Sequence, residues 1–482
     1  MTNNSVSRGI VDCCMRVLLV EPPFHRFMGF YRHYYPLGLA YIASTLAKHN
    51  HVVEILDAEH DRKCRSLSYL QTSEEYFKYL DAINDSDHSV WSEIQREISR
   101  FEPDLVGISA LSVKTPSALR IASLCHLGSR KIPVVVGGEH PTARPEDFLR
   151  DNNVSFLVRG EGERTILELV ETLKRGGRLE NIDGLSFKTN GEVIHNKNRP
   201  LVENLDSLPF PARNFLSNKE TYRPVDFGLI MGSRGCPYRC SFCPNQNLWG
   251  RRVRYRLTSN IIDEIKSVQE TYSTQYFSFR DYSFSTDNKR TIDLCRKIRQ
   301  EKLDIQWECT TRPDLITEET VSLMKDAGCT TIRVGIESGS DRILVEIKKD
   351  LSIKQIKEAS RILNRHNIYW AAYFMFGLPS ETKEDIKKTF TLIDEIDPPF
   401  VSMARYTPEP GSELYETLVR KGRVCENEVD WGQWSNQWLE NAFTERISRE
   451  EFREIIQDVA RHVDEHNKRH SPNKVHPLLK FD

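Results

Sequence analysis

Apolar and polar positions alternate along this chain in two recurring patterns. Short apolar runs at 16–20, 52–56, 104–109, 132–137 and 154–158 predict buried strands. Between and after them apolar residues recur at helical spacing: Leu39, Ile42, Ala43 and Leu46 after Pro36; Trp91, Ile94, Ile98 and Phe101; Ile166, Leu169, Val170 and Leu173. Five strand–helix alternations predict a parallel sheet covered on both faces, a doubly wound α/β domain over residues 1–175. Residues 57–90 are polar and patternless and read as an insertion.

Asp-Gly and Asn-Gly turns at 181–194 predict a small β-hairpin, and Leu208-Pro209-Phe210-Pro211 stiffens the path beyond it, so 176–225 reads as a linker. The alternation resumes at 227–232. Strands are predicted at 276–279, 305–309, 331–335, 369–376 and 400–404, and helices at 259–272, 287–300, 318–327, 353–366 and 383–396. Ser352 and Gln355 form a capping box, and Gly328 marks a helix end. Six units make a partial (β/α)6 barrel over 226–415, whose site belongs at the carboxyl ends of its strands. A small, mainly helical segment, 416–482, follows. Its Trp431, Trp434 and Trp438 read as packing a cap onto the barrel mouth, with an apolar substrate pocket as the alternative, and residues from 470 on read as a loosely ordered tail.

Composition narrows the class. The 482 residues suffice for about three domains, and 39% hydrophobic against 28% charged is globular. A net charge of −2 gives no reason to expect nucleic acid or an acidic membrane surface as the partner. No apolar run of about 18 residues predicts a membrane segment. Residues 1–14 lack a secretory apolar stretch, and eleven cysteines form no disulfide framework, so a reducing, cytoplasmic setting is expected.

The candidate chemistry centres on Cys236, Cys240 and Cys243, spaced C-x3-C-x2-C between a strand and a helix. Thiolates this close, with Gly235 and Pro237 bending the backbone, can converge on one soft metal centre. Structural zinc wants four protein ligands, and no fourth Cys or His is near. Three thiolates on a four-iron cluster leave one iron open to a reagent. The bland alternative is a zinc knuckle with a distant ligand, or three unrelated cysteines. Cys295, Cys309 and Cys329 have apolar neighbours and read as buried structural residues.

Cys-Pro-Tyr-Arg-Cys-Ser-Phe-Cys resembles the cluster loop of the radical S-adenosylmethionine (SAM) superfamily, including the aromatic Phe242, whose backbone lies along adenine in that family. The resemblance implies a 4Fe-4S cluster on the three cysteines, SAM on Glu337 and Ser338, and Gly377 beside adenine. Arg312 is a candidate for the SAM carboxylate, with a structural salt bridge as its alternative, and Asp281 receives no role. Upstream, four segments end predicted strands: Glu21-Pro22-Pro23-Phe24, Ser109-Ala110-Leu111-Ser112, Gly137-Gly138-Glu139-His140 and Arg159-Gly160-Glu161. In that order, just before the cysteine loop, they look like the cobalamin-binding domain of cobalamin-dependent radical SAM enzymes. That resemblance implies cobalamin contacts at Pro22, Phe24, Ser109, Gly137, Gly138, Glu139, His140, Gly160 and Glu161. His25 departs from the D-x-H-x-x-G pattern, with Pro23 and Met28 at the other positions, so it reads as a loop residue rather than a cobalt ligand, and His140 as a hydrogen-bonding histidine.

The implied activity is methylation of an unactivated carbon of a small-molecule or lipid-like substrate, using a 5′-deoxyadenosyl radical, methylcobalamin and an electron donor such as flavodoxin or ferredoxin. Cyclisation or rearrangement with the same cofactors is the runner-up. A methylthiotransferase is disfavoured because Cys13, Cys14, Cys64 and Cys125 form no second cluster motif, and a cobalamin sensor or carrier is disfavoured by the intact cysteine loop.

Overall fold

The computed structural model describes residues 14–30, 34–65, 67–128, 130–438 and 440–470. The tail expected beyond 470 lies outside them. Five strands, β1 (Arg16–Glu21), β2 (Val52–Asp57), β3 (Leu105–Ser109), β4 (Val134–Gly137) and β5 (Phe156–Val158), pair in parallel in the order β2-β1-β3-β4-β5. Val17, Leu18, Leu19 and Val20 are all buried because helices cover both faces, which is why β1 has no polar alternation. The chain leaves β1 for β2 on one side and returns to β3 on the other. This reversal opens a crevice beyond the carboxyl ends of β1 and β3.

Two features differ from the sequence expectation. The hairpin β6 (Leu185–Thr189) and β7 (Glu192–His195) is no free linker: β6 pairs antiparallel with β5 and extends the first sheet to seven strands. The segment 57–90 folds in part as two helices, Tyr69–Glu74 and Tyr76–Asn84. Tyr76 and Tyr79 are fully buried, and Tyr76 donates to the Gly432 carbonyl at 2.7 Å. The spacing of Tyr76, Tyr79 and Ala82 was a helical signal diluted by polar neighbours.

The second sheet contains β8 (Leu229–Ile230). A separate two-stranded ribbon, β9 (Ser233–Arg234) with β10 (Arg254–Tyr255), follows. The sheet continues with β11 (Tyr276–Phe279), β12 (Gln306–Thr311), β13 (Cys329–Glu337), β14 (Tyr369–Phe376) and β15 (Phe400–Arg405). Its order, β15-β14-β13-β12-β11-β8, is parallel throughout and unclosed, the expected partial barrel. Cys329 begins β13 rather than ending a helix; it is buried, as are Cys295 and Cys309. The free edge at β15 is covered by the helix Arg449–His470: the Asn467 amide exchanges hydrogen bonds of 2.8 and 2.9 Å with the Val401 backbone. The three tryptophans fill two roles. Trp438 packs against Tyr76 with ring centres 5.2 Å apart and Trp431 lies 4.3 Å from the His140 ring, whereas Trp434 also lines a cavity. No helix among the described residues is long and apolar enough to cross a membrane.

Candidate active site

The β9–β10 pairing pinches the base of the cysteine loop. Gly235 has φ +98°, and a Cβ there would fall 2.4 Å from the Arg252 carbonyl oxygen, so only glycine fits. Asp281, at the end of β11, accepts from the Gly232 N–H at 2.9 Å and from the Ser233 hydroxyl, which gives that residue a supporting role beneath the loop. The loop tip is tied to the barrel: Ser241 N–H donates to Ile347 O and Leu414 N–H to Ser241 O, both at 2.9 Å.

All three cysteines line one cavity of about 40 Å³, together with Tyr238, Arg239, Asn245, Gln246, Arg251 and Glu413. Their sulfurs are not gathered within 4.8 Å of one another as ligands of a single ion are; among the described residues only Asp397, His466 and His470 meet that condition. Sulfurs facing one space but spread apart suit a multi-iron cluster better than one zinc ion. Burial pushes the Cys243 thiol up to about 12 and raises Cys240 despite nearby Lys349 and Arg312, so ligation must displace protons. The buried Asn245 amide has neither polar atom partnered, an orphan group on the same cavity wall.

The other barrel candidates divide. Arg312 stands over the Tyr238 ring at 3.7 Å and 4.0 Å from the Cys240 sulfur, but its fork is committed to Asp314 at 2.9 Å and to the Lys349 carbonyl at 2.6 Å. Glu337 ends β13 beyond a register shift, with φ +72°, and binds Lys349 Nζ at 2.8 Å. Ser338 is turned inward; its hydroxyl accepts from the Ser340 N–H at 3.2 Å. Gly377, with φ +88°, faces the C-terminal helix, where a Cβ would meet the Phe452 ring at 2.4 Å. Arg312, Glu337, Ser338 and Gly377 line neither the cysteine cavity nor the two larger cavities described below.

Beneath Gly377 lies Glu381, fully buried. One carboxyl oxygen accepts from the Gly377 N–H at 2.6 Å and the other has no partner. Burial pushes this carboxyl up from the ordinary 4.5 to about 8. Below 4.5 folded and unfolded chains both hold the proton; between 4.5 and about 8 only the folded chain does, so this group makes stability fall as pH rises through that window. Glu381→Gln, neutral throughout, is expected to gain on the parent across it by up to a few kcal/mol, about 1.4 per pH unit. Thermal melts of both proteins at about pH 5 and about pH 8.5 check this, and an unchanged difference between the two pH values refutes it.

Two larger cavities flank the cysteine loop. One, of about 280 Å³, lies beyond β3, β4 and β5 and is lined by Gly107, Ser109, Gly137, Gly138, Glu139, Gly160 and Glu161, with Leu248, Trp249 and Tyr282 opposite. Its floor is a glycine cradle. A Cβ on Gly107 would strike Leu19 at 2.8 Å, and Gly138, at φ +120°, lies so close that a Cβ would fall 2.7 Å from the Ala110 carbonyl oxygen. The other, of about 550 Å³, lies between the two sheets and is lined by Phe24, Leu111, Val113, Glu139, Phe242, Cys243, Met375, Arg405, Glu409 and Trp434, among others. Glu139 touches both cavities, and Cys243 joins the second to the cysteine cavity.

The expected first-domain contacts therefore separate. Phe24 faces the larger cavity, held through its N–H by Glu59 at 2.5 Å, and Pro22 lines neither. His25 lines the larger cavity with Nδ1 2.7 Å from Glu59. His140 is buried with Nδ1 2.9 Å from the Ser112 hydroxyl and Nε2 3.2 Å from Asp147, so both ring nitrogens are engaged, and it lines neither cavity. Glu161 is spent on a clamp between domains: it takes Arg234 at 2.7 Å, Arg254 at 2.8 Å and the Val202 N–H at 2.5 Å, while Glu163 takes the other arm of Arg234 at 2.5 Å. Arg234 immediately precedes the cysteine loop, so the first sheet grips that loop directly.

Sequence reasoning passed over Lys349, Asn245, Glu409 and the triplet Arg405-Tyr406-Thr407. The triplet carried a usable signal, since it ends the sixth strand as the other candidate segments end theirs.

A model of the Radical SAM superfamily matches residues 230–393, and one of the B12 binding domain matches residues 30–170. An uncharacterized methyltransferase of Pyrococcus horikoshii is 33% identical over 445 residues, covering 90% of each chain. An anaerobic magnesium-protoporphyrin IX monomethyl ester cyclase of Rubrivivax gelatinosus is 28% identical over 70% of this chain and 62% of its own. The radical SAM methyltransferase TsrM of Kitasatospora setae, solved with cobalamin and a [4Fe-4S] cluster bound, shares the fold with a TM-score of 0.66 at 18% identity, over 88% of this chain and 81% of that one.

Proposed function

The chain belongs to the radical SAM enzymes that carry a B12-binding domain, and on that premise we propose that it transfers a methyl group to an unactivated carbon of a small-molecule or lipid-like substrate. Its cofactors are a 4Fe-4S cluster, SAM and cobalamin. When bound and reduced these supply a 5′-deoxyadenosyl radical and a transferable methyl group. The observation that carries the reading is the convergence of Cys236, Cys240 and Cys243 on one cavity that opens, through Cys243, beside a larger chamber between the domains.

In this reading Cys236, Cys240 and Cys243 would hold the 4Fe-4S cluster, with SAM bound beside it. The orphaned Asn245 amide and the Glu337–Lys349 pair, together with Arg312 at Cys240, form the polar surroundings of SAM. Ser338 and Gly377 then support those surroundings from behind. The glycine cradle at Gly107, Gly137, Gly138 and Gly160 would hold part of cobalamin: about 280 Å³ is too small for the whole molecule, and a wall without side chains permits close approach. No histidine is assigned to cobalt: His140 has both nitrogens engaged, and His25, whose Nδ1 faces Glu59, lacks the D-x-H-x-x-G pattern around it. The 550 Å³ chamber receives substrate, with Phe242 on the cysteine-loop side and Trp434 among its walls, shutting water from a reactive radical. Exposed Arg239 and Arg251 on the cysteine cavity suit an acidic electron donor such as flavodoxin or ferredoxin.

The test uses methyl-labelled SAM and anaerobic holoenzyme with its substrate. A methylase yields S-adenosylhomocysteine, 5′-deoxyadenosine and labelled product in nearly equal amounts, because one SAM is cut reductively and another gives up its methyl group. Unlabelled product with 5′-deoxyadenosine alone moves the assignment to rearrangement or to cyclisation, the latter being the chemistry named for the Rubrivivax relative.

A further inference from the structure

The carboxyl end of β15 places Arg405, Tyr406 and Thr407 in the wall of the chamber between the domains. Arg405 is 1% exposed and, among the described residues, makes no ion pair. Its two terminal nitrogens reach only the Asn441 carbonyl and the Tyr69 hydroxyl, each at 3.4 Å, and Nε has no partner. Other buried arginines differ: Arg213, Arg234, Arg254 and Arg256 each hold a carboxylate, at 2.7, 2.7, 2.8 and 2.5 Å. A desolvated cation without a countercharge is costly, so this one awaits a partner that the described residues do not supply.

The neighbouring groups agree. The hydroxyls of Tyr406 and Thr407 and the amide oxygen of Gln437 are buried, unpartnered and on the same wall. The carboxyls in the chamber do not supply the missing charge. Burial and the adjacent Glu139 push Glu409 up to about 8, burial raises Glu139, and Glu409 accepts from the Ser112 hydroxyl at 2.9 Å. Lys114, the other cation there, is already paired with Glu21 at 2.6 Å and Glu59 at 3.3 Å. Phe242, Met375 and Trp434 pack into one apolar cluster beside Cys243.

Resting on the reading of this cavity as the substrate chamber, we propose that the substrate is an acid with an apolar body. Its carboxylate or phosphate is taken by the planar fork of Arg405, with the Tyr406 and Thr407 hydroxyls donating to the same group. The apolar body then lies against Phe242, Met375 and Trp434, next to the cysteine loop. Arg405 is thus a binding and specificity residue.

The test is anaerobic titration calorimetry on holoenzyme saturated with SAM, using three matched probes: 3-phenylpropionate, 2-phenylethyl phosphate and the neutral 3-phenylpropionamide. At least one acid is expected to bind about ten-fold more tightly than the amide, and the tighter acid identifies the anion. Arg405→Gln should abolish that preference and leave amide binding unchanged. Arg405→Met, apolar and similar in length, carries the same arm if the glutamine variant does not fold. Equal binding of all three probes, an acid preference that survives both substitutions, or no binding of either acid at about 10 mM overturns the proposal. Binding is read without turnover, so a chain that prefers the acids yet transfers no methyl group refutes the methylation reading alone.

Discussion

Changing Cys236, Cys240 and Cys243 together to alanine is expected to strip the iron from anaerobically reconstituted protein and to lower reductive SAM cleavage by about a thousand-fold or more. The loop itself should persist. Its base is held by the β9–β10 pair, by Gly235 and by Asp281, and its tip by backbone bonds from Ser241, none of which uses a sulfur. The variant therefore separates ligation from folding: circular dichroism and melting should stay close to the parent while iron content and 5′-deoxyadenosine formation vanish. Iron retained by the triple variant, or active protein holding zinc alone, would sink the cluster assignment.

The largest expected effect on stability comes from Arg234→Met. Arg234 is a buried cation shared by Glu161 and Glu163, and removing it leaves the Glu163 carboxylate without its direct ion pair in a site from which water is shut out. Breaking a buried pair in this way costs about 3–5 kcal/mol, and the urea midpoint should fall accordingly. Glu163→Gln added to Arg234→Met should recover part of the loss, since it removes the carboxylate that loses its direct ion pair, whereas Glu161 keeps Arg254. A single variant that unfolds like the parent would show that the clamp contributes nothing net. Because Arg234 leads directly into Gly235 and Cys236, the same variant is also expected to load less iron.

The outline of both sheets was legible because each strand and helix announces itself within a few neighbouring residues. The run 16–20 and the capping box at Ser352 and Gln355 are local facts, and the structure keeps them. The hairpin was legible as a hairpin, but its attachment to β5 was not, since pairing of Phe156 with Phe187 depends on an edge that only the assembled sheet presents. Tyr76 and Tyr79 looked like part of a polar insertion because their burial is supplied by Phe24 and Trp438, which lie far away in sequence.

The site divides along the same line. The three cysteines at 236, 240 and 243 and the glycines at the ends of β4 and β5 were legible as candidates, because short loops bring such residues and bare backbone to one place whatever surrounds them. Which side chains remain free to act there is a matter of what docks against them. Glu161 lies 73 residues from Arg234 yet is consumed by it, and Gly377 makes room for Phe452 of the C-terminal helix. Arg405 is buried and, among the described residues, meets the Tyr69 hydroxyl of the first domain and the Asn441 carbonyl rather than a carboxylate. Local spacing thus determined the fold class and the cysteine loop, and the resemblance of that loop and of the first-domain segments to known families implied the cofactors. The tertiary structure alone decided the partners of the charged groups and the shape of the chamber, because burial and ion pairing are set by surfaces that meet after folding.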